Sequence, residues 1–322
     1  MKIVLLGAQG QLGVQLGRAL APLGELVRLG RHGALGDEAP GLCGDLLQPA
    51  ALAATLRALR PDMVVNAAAY TAVDRAETDR DAVFAINATA CEAMAQACHE
   101  VGAWLVHYST DYVFDGRGER AWTETDVTHP VNVYGASKLA GENAIRAHHA
   151  RHLILRCSWV FDTVGQNFLK SILRAALQRE ELRVVADQYG APTRAALIAD
   201  VTAHMLRRVR AEDTAGAAPT LTGIYHLAPR GETSWHGYAV RLVQQATACG
   251  MPLRVMPDRI RAIASSEYPT PAARPANSRL NTRLLQDRFG LTLPDWQDGV
   301  DAVVAELAAG WQVATSTPQV PA

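Results

Sequence analysis

Lys2-Ile-Val-Leu-Leu6 runs directly into Gly7-Ala-Gln-Gly10-Gln-Leu-Gly13, after which leucines recur at Leu16, Leu20 and Leu23. A short continuous apolar run ended by glycine predicts a strand buried on both faces. Counted from Leu12, the leucines step by four, four and three, which predicts an amphipathic helix. Between the two, glycines let the backbone turn tightly and approach a pyrophosphate closely. The helix N-terminus then offers free N–H groups and a positive dipole end to the anion. In this strand–turn–helix setting Gly7, Gly10 and Gly13 predict a dinucleotide site rather than a purely structural turn.

The same alternation continues downstream. Glu25 to Leu29 reads as a strand, and a helix starting at Pro49 carries Leu52, Leu56 and Leu59 on one face. Met63-Val-Val-Asn66 is a further strand. One long helix is predicted to carry Val83, Ile86, Ala90, Met94, Ala97 and Val101 on one stripe. Trp104 to Ser109 is a strand, 134–149 a helix, and Leu153-Ile-Leu155 a strand. Repeated βα units imply an α/β fold, a doubly wound parallel sheet of Rossmann type.

Beyond residue 158 the pattern is less regular. Helices are expected near 168–177, 195–209, 235–248 and 297–309, with a strand over 182–186, a Gly190-Ala-Pro-Thr193 turn and a strand at Gly223-Ile-Tyr-His-Leu227. The expected division is a dinucleotide-binding domain of residues 1–158 and about 194–227. A smaller, mixed α/β substrate domain takes about 159–193 and 228–311, and 312–322 form a disordered tail.

Composition narrows the function. Of 322 residues 49 % are apolar, which excludes a disordered chain. Lys and Arg number 31 against 32 acids, so there is no basic excess of the kind that drives nucleic-acid binding. The five cysteines are odd in number and lack CxxC spacing, which reads as buried thiols in a reducing compartment. Neither a signal-peptide core nor an apolar stretch of about 20 residues is present, so a cytoplasmic protein with no membrane partner is expected.

Three further stretches carry chemistry. Arg28-Leu-Gly30-Arg31-His32, at the end of the second strand, has no acid to bond a ribose 2′-hydroxyl. Its arginines suit a 2′-phosphate, Arg31 best because it follows Gly30, so NADPH is expected, with NADH a usable alternative. Tyr134-Gly-Ala-Ser-Lys138 places a phenol and an ammonium on one helix face, where the cation would lower the phenol's pKa. Tyr108-Ser-Thr-Asp-Tyr-Val-Phe114 begins where a strand runs out, so Thr110 is placed to meet a substrate carbonyl that Tyr134 also touches. His148-His149-x-x-His152 lacks supporting carboxylate or cysteine ligands, and no metal is expected.

Together with Asn66-Ala-Ala-Ala-Tyr70, Ser158-Trp159-Val160, the Gly190 turn and Arg274-Pro-x-Asn277-Ser-x-Leu280, these motifs resemble the dTDP-4-dehydrorhamnose reductase family of the extended short-chain dehydrogenase/reductase superfamily. The likeness covers about residues 1–310 in order. It implies NADPH- or NADH-dependent reduction of the 4-keto group of dTDP-4-dehydro-L-rhamnose, the last step toward dTDP-L-rhamnose for cell-surface polysaccharide such as O-antigen. By resemblance Tyr134 is the proton donor, Lys138 lowers its pKa and holds the nicotinamide ribose, and Thr110 polarises the keto oxygen. Asp111, Trp159, Arg274 and Asn277 would meet the sugar nucleotide. Gly10, Gln11 and Leu12 would hold the pyrophosphate, Asp45 and Leu46 the adenine end, and Ala69, Tyr70 and Thr71 would lie over the cofactor. Some members dimerise through glutamate-bound magnesium, but Gln15 and Ala196 stand at those places, which implies a monomer or a metal-free homodimer. Two other readings stay open. One is a nucleotide-sugar dehydratase or epimerase of the same fold, and the other a non-catalytic subunit resembling the regulatory subunit of methionine adenosyltransferase.

Overall fold

The computed structural model describes residues 1–35, 41–216 and 219–316, with side chains up to residue 311. The first half runs β1 (Lys2–Leu6), α1 (Gln11–Leu20), β2 (Glu25–Gly30), β3 (Gly33–Ala34), α2 (Pro49–Leu59) and β4 (Met63–Asn66). Short helices α3 (Val73–Ala76) and α4 (Arg80–Phe84) precede α5 (Ala90–Val101), β5 (Trp104–Thr110), α6 (Val133–His148) and β6 (His152–Cys157). Next come β7 (Val160–Phe161), α7 (Phe168–Gln178), β8 (Leu182–Val185), β9 (Tyr189–Gly190), β10 (Thr193–Arg194) and α8 (Ala195–Thr214). The chain then forms β11 (Gly223–Leu227), β12 (Thr233–Ser234), α9 (Trp235–Ala248), β13 (Ile260–Ile263), α10 (Arg283–Phe289) and α11 (Trp296–Ser316).

The main sheet has the order β11-β6-β5-β4-β1-β2-β3. Only the β2–β3 pair is antiparallel. Every side chain of Ile3 to Leu6 is fully buried, as an apolar run covered on both faces requires. Ile3, Leu5, Val65 and Val106 pack with Leu16 and Leu20 of α1 and Met205 and Leu206 of α8. Val4, Leu6, Val64 and Leu105 pack on the other face with Leu52 and Leu56 of α2 and Met94 of α5. Chain order reverses at β1, which pairs β2 on one side and β4 on the other. Such a switch point opens a crevice at the carboxyl ends of the strands.

A separate apolar cluster joins Leu169, Leu173, Tyr238, Leu242, Val300 and Val304, from α7, α9 and α11. The α/β class is as the sequence predicts. Two local expectations are corrected. The long helix from Val83 to Val101 is present but widens between α4 and α5 into a π-helical turn over Ala85–Thr89. Within it, Asn87 bonds the Tyr70 backbone at both ends (2.9 and 3.1 Å) and donates to Ser137 Oγ (3.0 Å), tying three segments together. The predicted tail is helical through Ser316, and 317–322 lie outside the described residues.

Candidate active site

A cleft of about 800 Å³ lies along the carboxyl ends of the strands. Its floor at one end is the turn after β1. Gly7 has φ +73°, and a Cβ there would meet Ala68 N at 2.7 Å. A Cβ on Gly13 would meet Gly7 O at 2.0 Å. Gly13 therefore packs α1 onto the turn and does not line the cleft, whereas Gly7, Gly10, Gln11 and Leu12 do. No side chain caps α1 and its first turn holds no acid, so its free N–H groups remain open to an anion. The Gln11 side chain donates to Val160 O (3.1 Å) and accepts from Asn167 Nδ2 (2.7 Å), locking the turn to the segment beyond β6.

Arg31, Asp45 and Leu46 line the end beyond Gly30, with Gly44 and Leu47 beside them. Arg31 is exposed and reaches the opening, while Arg28, on β2, does not line it. Ala69 and Thr71 line the cleft, but Tyr70 does not. Its ring packs in the small cluster of Ala76, Val83 and Val133, and its hydroxyl donates to Asp79 Oδ2 at 3.0 Å.

Thr110, Asp111, Tyr134, Lys138 and Trp159 all face the same cleft. Burial raises the Tyr134 phenol well above its ordinary range, the Asp111 charge adds to this, and the Thr110 hydroxyl partly opposes it. Lys138 is not among the groups that shift the Tyr134 phenol here. Lys138 Nζ is instead 3.0 Å from His107 Nε2, and burial lowers the lysine's own proton affinity. Asp111, 2 % exposed, is pushed by burial up to about 7, although Thr110 Oγ1 donates to its Oδ1 at 3.2 Å. The next residue, Tyr112, meets Tyr134 edge-on with ring centroids 5.9 Å apart.

Trp159 has φ +46° and lies flat on Trp235, a second aromatic wall. A Cβ on Gly190 would meet the Trp159 ring at 2.9 Å, so the turn glycine makes room for that indole. Arg274 and Asn277 do not line the cleft. Arg274 Nη2 donates to Asp74 Oδ2 (2.7 Å), and its Nη1 is buried without a partner among the described residues. Asn277 donates through Nδ2 to Arg120 O (2.8 Å), and its carbonyl accepts from Trp122 Nε1 (3.1 Å). It staples the loop behind Phe114, whose ring stacks on Trp122 at 4.7 Å.

Gln15 Nε2 and Ala196 N both donate to the buried Asp162 carboxylate, at 3.0 and 3.1 Å. Among the described residues no three His, Cys, Asp or Glu side chains converge as a metal site would require, and no helix is long and apolar enough to cross a membrane. Sequence reasoning passed over His107, Cys157 and Trp235. The first two are ordinary buried strand residues by pattern, and nothing local distinguishes Trp235 from a packing aromatic at a helix start.

Comparison with known proteins agrees with this geometry. The model of the family described as RmlD substrate binding domain matches residues 1–309. The dTDP-4-dehydrorhamnose reductase of Shigella flexneri is 50 % identical over 307 residues, covering 95 % of this chain and 98 % of that one. That of Burkholderia thailandensis is 48 % identical over 309 residues, covering 95 % and 99 %. The crystal structure of the Bacillus anthracis reductase in complex with NADP superposes with a TM-score of 0.81 at 32 % identity, covering 95 % and 99 %. The chain belongs to the RmlD substrate binding domain family, that of the dTDP-4-dehydrorhamnose reductases.

Proposed function

We infer that this chain is an NADPH-dependent oxidoreductase that reduces the 4-keto group of dTDP-4-dehydro-L-rhamnose, giving dTDP-L-rhamnose. One observation carries the reading: a protonated phenol, a threonine hydroxyl and a buried lysine share one cleft with an uncapped glycine-turn helix N-terminus. NADPH, when bound, supplies a hydride to the ketone carbon. The chain's own part is to bind and orient the dinucleotide and to deliver a proton to the developing alkoxide. Gly7, Gly10, Gln11 and Leu12 cradle the pyrophosphate, with Gly13 keeping α1 against the turn. Arg31 meets the 2′-phosphate, while Asp45, Leu46, Ala69 and Thr71 frame the rest of the dinucleotide.

Thr110 turns its hydroxyl proton from Asp111 Oδ1 to the keto oxygen and holds that oxygen at the Tyr134 hydroxyl. Tyr134 gives up its proton there, so a phenol kept protonated by burial suits the reductive direction. Lys138 then stabilises the phenolate. Asp111 and Trp159 contact the sugar, and Arg274, off the cleft lining, steadies the neighbouring segment through Asp74. Asn277 supports this side of the cleft from behind. The residues split by role into 1–158 with about 194–227 for the cofactor, and about 159–193 with 228–311 for the sugar nucleotide.

A dehydratase needs a further acid–base pair, and the resemblance puts an acid after Asp111 in such enzymes. Tyr112 stands there instead, its ring against Tyr134. The cytoplasm, with its NADPH and nucleotide sugars, is the compartment this reading calls for, and the chain acts as a monomer or homodimer. The test is NADPH consumption with dTDP-4-dehydro-6-deoxyglucose and a 3,5-epimerase supplied together. Stoichiometric oxidation with formation of dTDP-L-rhamnose supports the reading. Absence of NADPH oxidation with either sugar nucleotide refutes it.

A further inference from the structure

His107, which the proposed reaction does not use, is 1 % exposed and sits on β5 in register with Asn66 of β4. Its Nδ1 lies 3.1 Å from Asn66 Nδ2, and its Nε2 lies 3.0 Å from Lys138 Nζ. The Asn66 amide cannot be turned, because its Oδ1 accepts the Ala68 N–H at 3.1 Å. An amide nitrogen is a donor, so His107 Nδ1 must be the acceptor, and the single proton of the neutral ring is on Nε2. Cys91 Sγ, 3.9 Å from the same Nδ1, is a second donor, its thiol kept protonated by burial, which pushes it to about 11.

An N–H aimed at Nζ can donate only to an amine, because an ammonium has no lone pair. Among the described residues no carboxylate is hydrogen-bonded to Nζ to hold an ammonium in place, although the Glu142 charge acts on it from further off. Cys91 of α5 and Cys157 of β6 are thiols pushed upward by burial, and Tyr134 on the lysine's own helix is a phenol pushed the same way. Glu142, one turn further along α6, is taken by Arg156 Nε and Nη2 at 2.9 and 2.6 Å. Burial also lowers the proton affinity of His107, so the ring stays neutral.

We propose that His107, its tautomer fixed by Asn66, holds Lys138 as the neutral amine while no dinucleotide is bound, and that dinucleotide binding draws Nζ off His107 with uptake of one proton from solvent. The lysine thereby becomes a cation only in the loaded cleft, where the phenolate and the ribose hydroxyls can use it. His107 is a positioning residue that acts through Lys138. The proposal rests on the cofactor reading above, but its tests read protons and binding rather than turnover.

Spectra of the ligand-free chain labelled with ¹⁵N-histidine report the tautomer directly. The expected result is a proton on His107 Nε2 and none on Nδ1 across neutral pH. The opposite tautomer overturns the proposal. Titration calorimetry with NADPH, in buffers of different protonation enthalpy, counts the proton. Above the free-state pKa of Lys138, uptake should approach one proton and Kd should weaken about tenfold per pH unit. Binding without proton uptake at any pH where the chain is folded overturns the proposal. Asn66→Asp would accept from Nδ1–H, turn Nε2 into an acceptor for an ammonium and abolish the uptake. Uptake unchanged in that variant also contradicts the role of Asn66. A chain that binds no NADPH at all defeats the cofactor reading and the second half of the proposal, while the spectrum still decides the first half.

Discussion

Trp159 and Trp235 lie face to face, their ring centroids 3.7 Å apart and their planes 15° from parallel. Trp159 reaches this position with φ +46°, a region that costs a bulky residue about 1–3 kcal/mol unless its surroundings hold it there. The stack supplies the hold, and Trp235 Nε1 is itself anchored by Gln188 Oε1 at 3.2 Å. Removing Trp235 should therefore loosen the wall against which the proposed reading packs the sugar. Trp235→Ala is expected to raise KM for the keto sugar nucleotide about tenfold, the scale of one lost aromatic contact, with NADPH affinity unchanged. Steady-state kinetics checks the first part and fluorescence titration the second. An unchanged KM would show that the pair only fills the core.

Arg31 lines the cleft beside Gly30 and Asp45, and the proposed reading gives it the NADPH preference. A hydrogen bond to a charged group contributes about 1.5–3 kcal/mol, so Arg31→Ala should weaken NADPH by roughly 10- to 150-fold. NADH kinetics should stay the same. Equal kcat/KM for the two cofactors in the unmutated chain would remove Arg31 from this role.

Asp111 makes stability depend on pH with a sign that can be worked out. Its folded pKa, about 7, lies above the unfolded value of about 3.9, so the folded chain binds the extra proton. The contribution is fully present below the unfolded pKa and is lost as pH rises through the folded one. It amounts to the order of 4 kcal/mol over that window. His226, held by burial at about 3, acts the other way, losing stability as pH falls from its unfolded value through that one. Asp111→Asn isolates the carboxyl. The stability of the parent relative to this variant should fall between about pH 4 and pH 7 and level off above. Urea unfolding across that range reads the difference, and a constant gap would show that Asp111 is ionised throughout.

Much of this was legible from the sequence, and the reason is physical. The run Ile3 to Leu6 can only be a strand covered on both sides, and the glycines after it have backbone to meet where a Cβ would stand. Helix spacing puts Tyr134 and Lys138 on one face, and the resemblance supplies their roles. What the sequence could not show depends on contacts between distant segments. The π-helical turn at Ala85–Thr89 goes with Asn87 reaching Tyr70 and Ser137, which no local periodicity encodes. Asn277 was expected at the sugar, but a loop more than a hundred residues earlier claims both its side-chain amide and its carbonyl. The raised Tyr134 phenol, too, is a matter of burial, and burial emerges only when the chain is folded.

Tyr134→Phe removes the transferable proton and keeps the ring against Tyr112. Turnover should fall by about 10²–10⁴, the usual share of general acid catalysis, with NADPH affinity close to that of the parent. Near-normal turnover in this variant would assign the proton to another group, Asp111 being one other titratable group that lines the cleft.

Transfer of a labelled hydride tests the central claim most directly. The full chain is supplied with dTDP-4-dehydro-L-rhamnose and NADPH carrying deuterium at the transferred position of the nicotinamide, and the sugar product is read by NMR. A reductase places one deuterium on the sugar C4 for each NADPH oxidised. Product without deuterium at C4, or sugar conversion with no net oxidation of the cofactor, would contradict the account and point to an enzyme that recycles a bound dinucleotide.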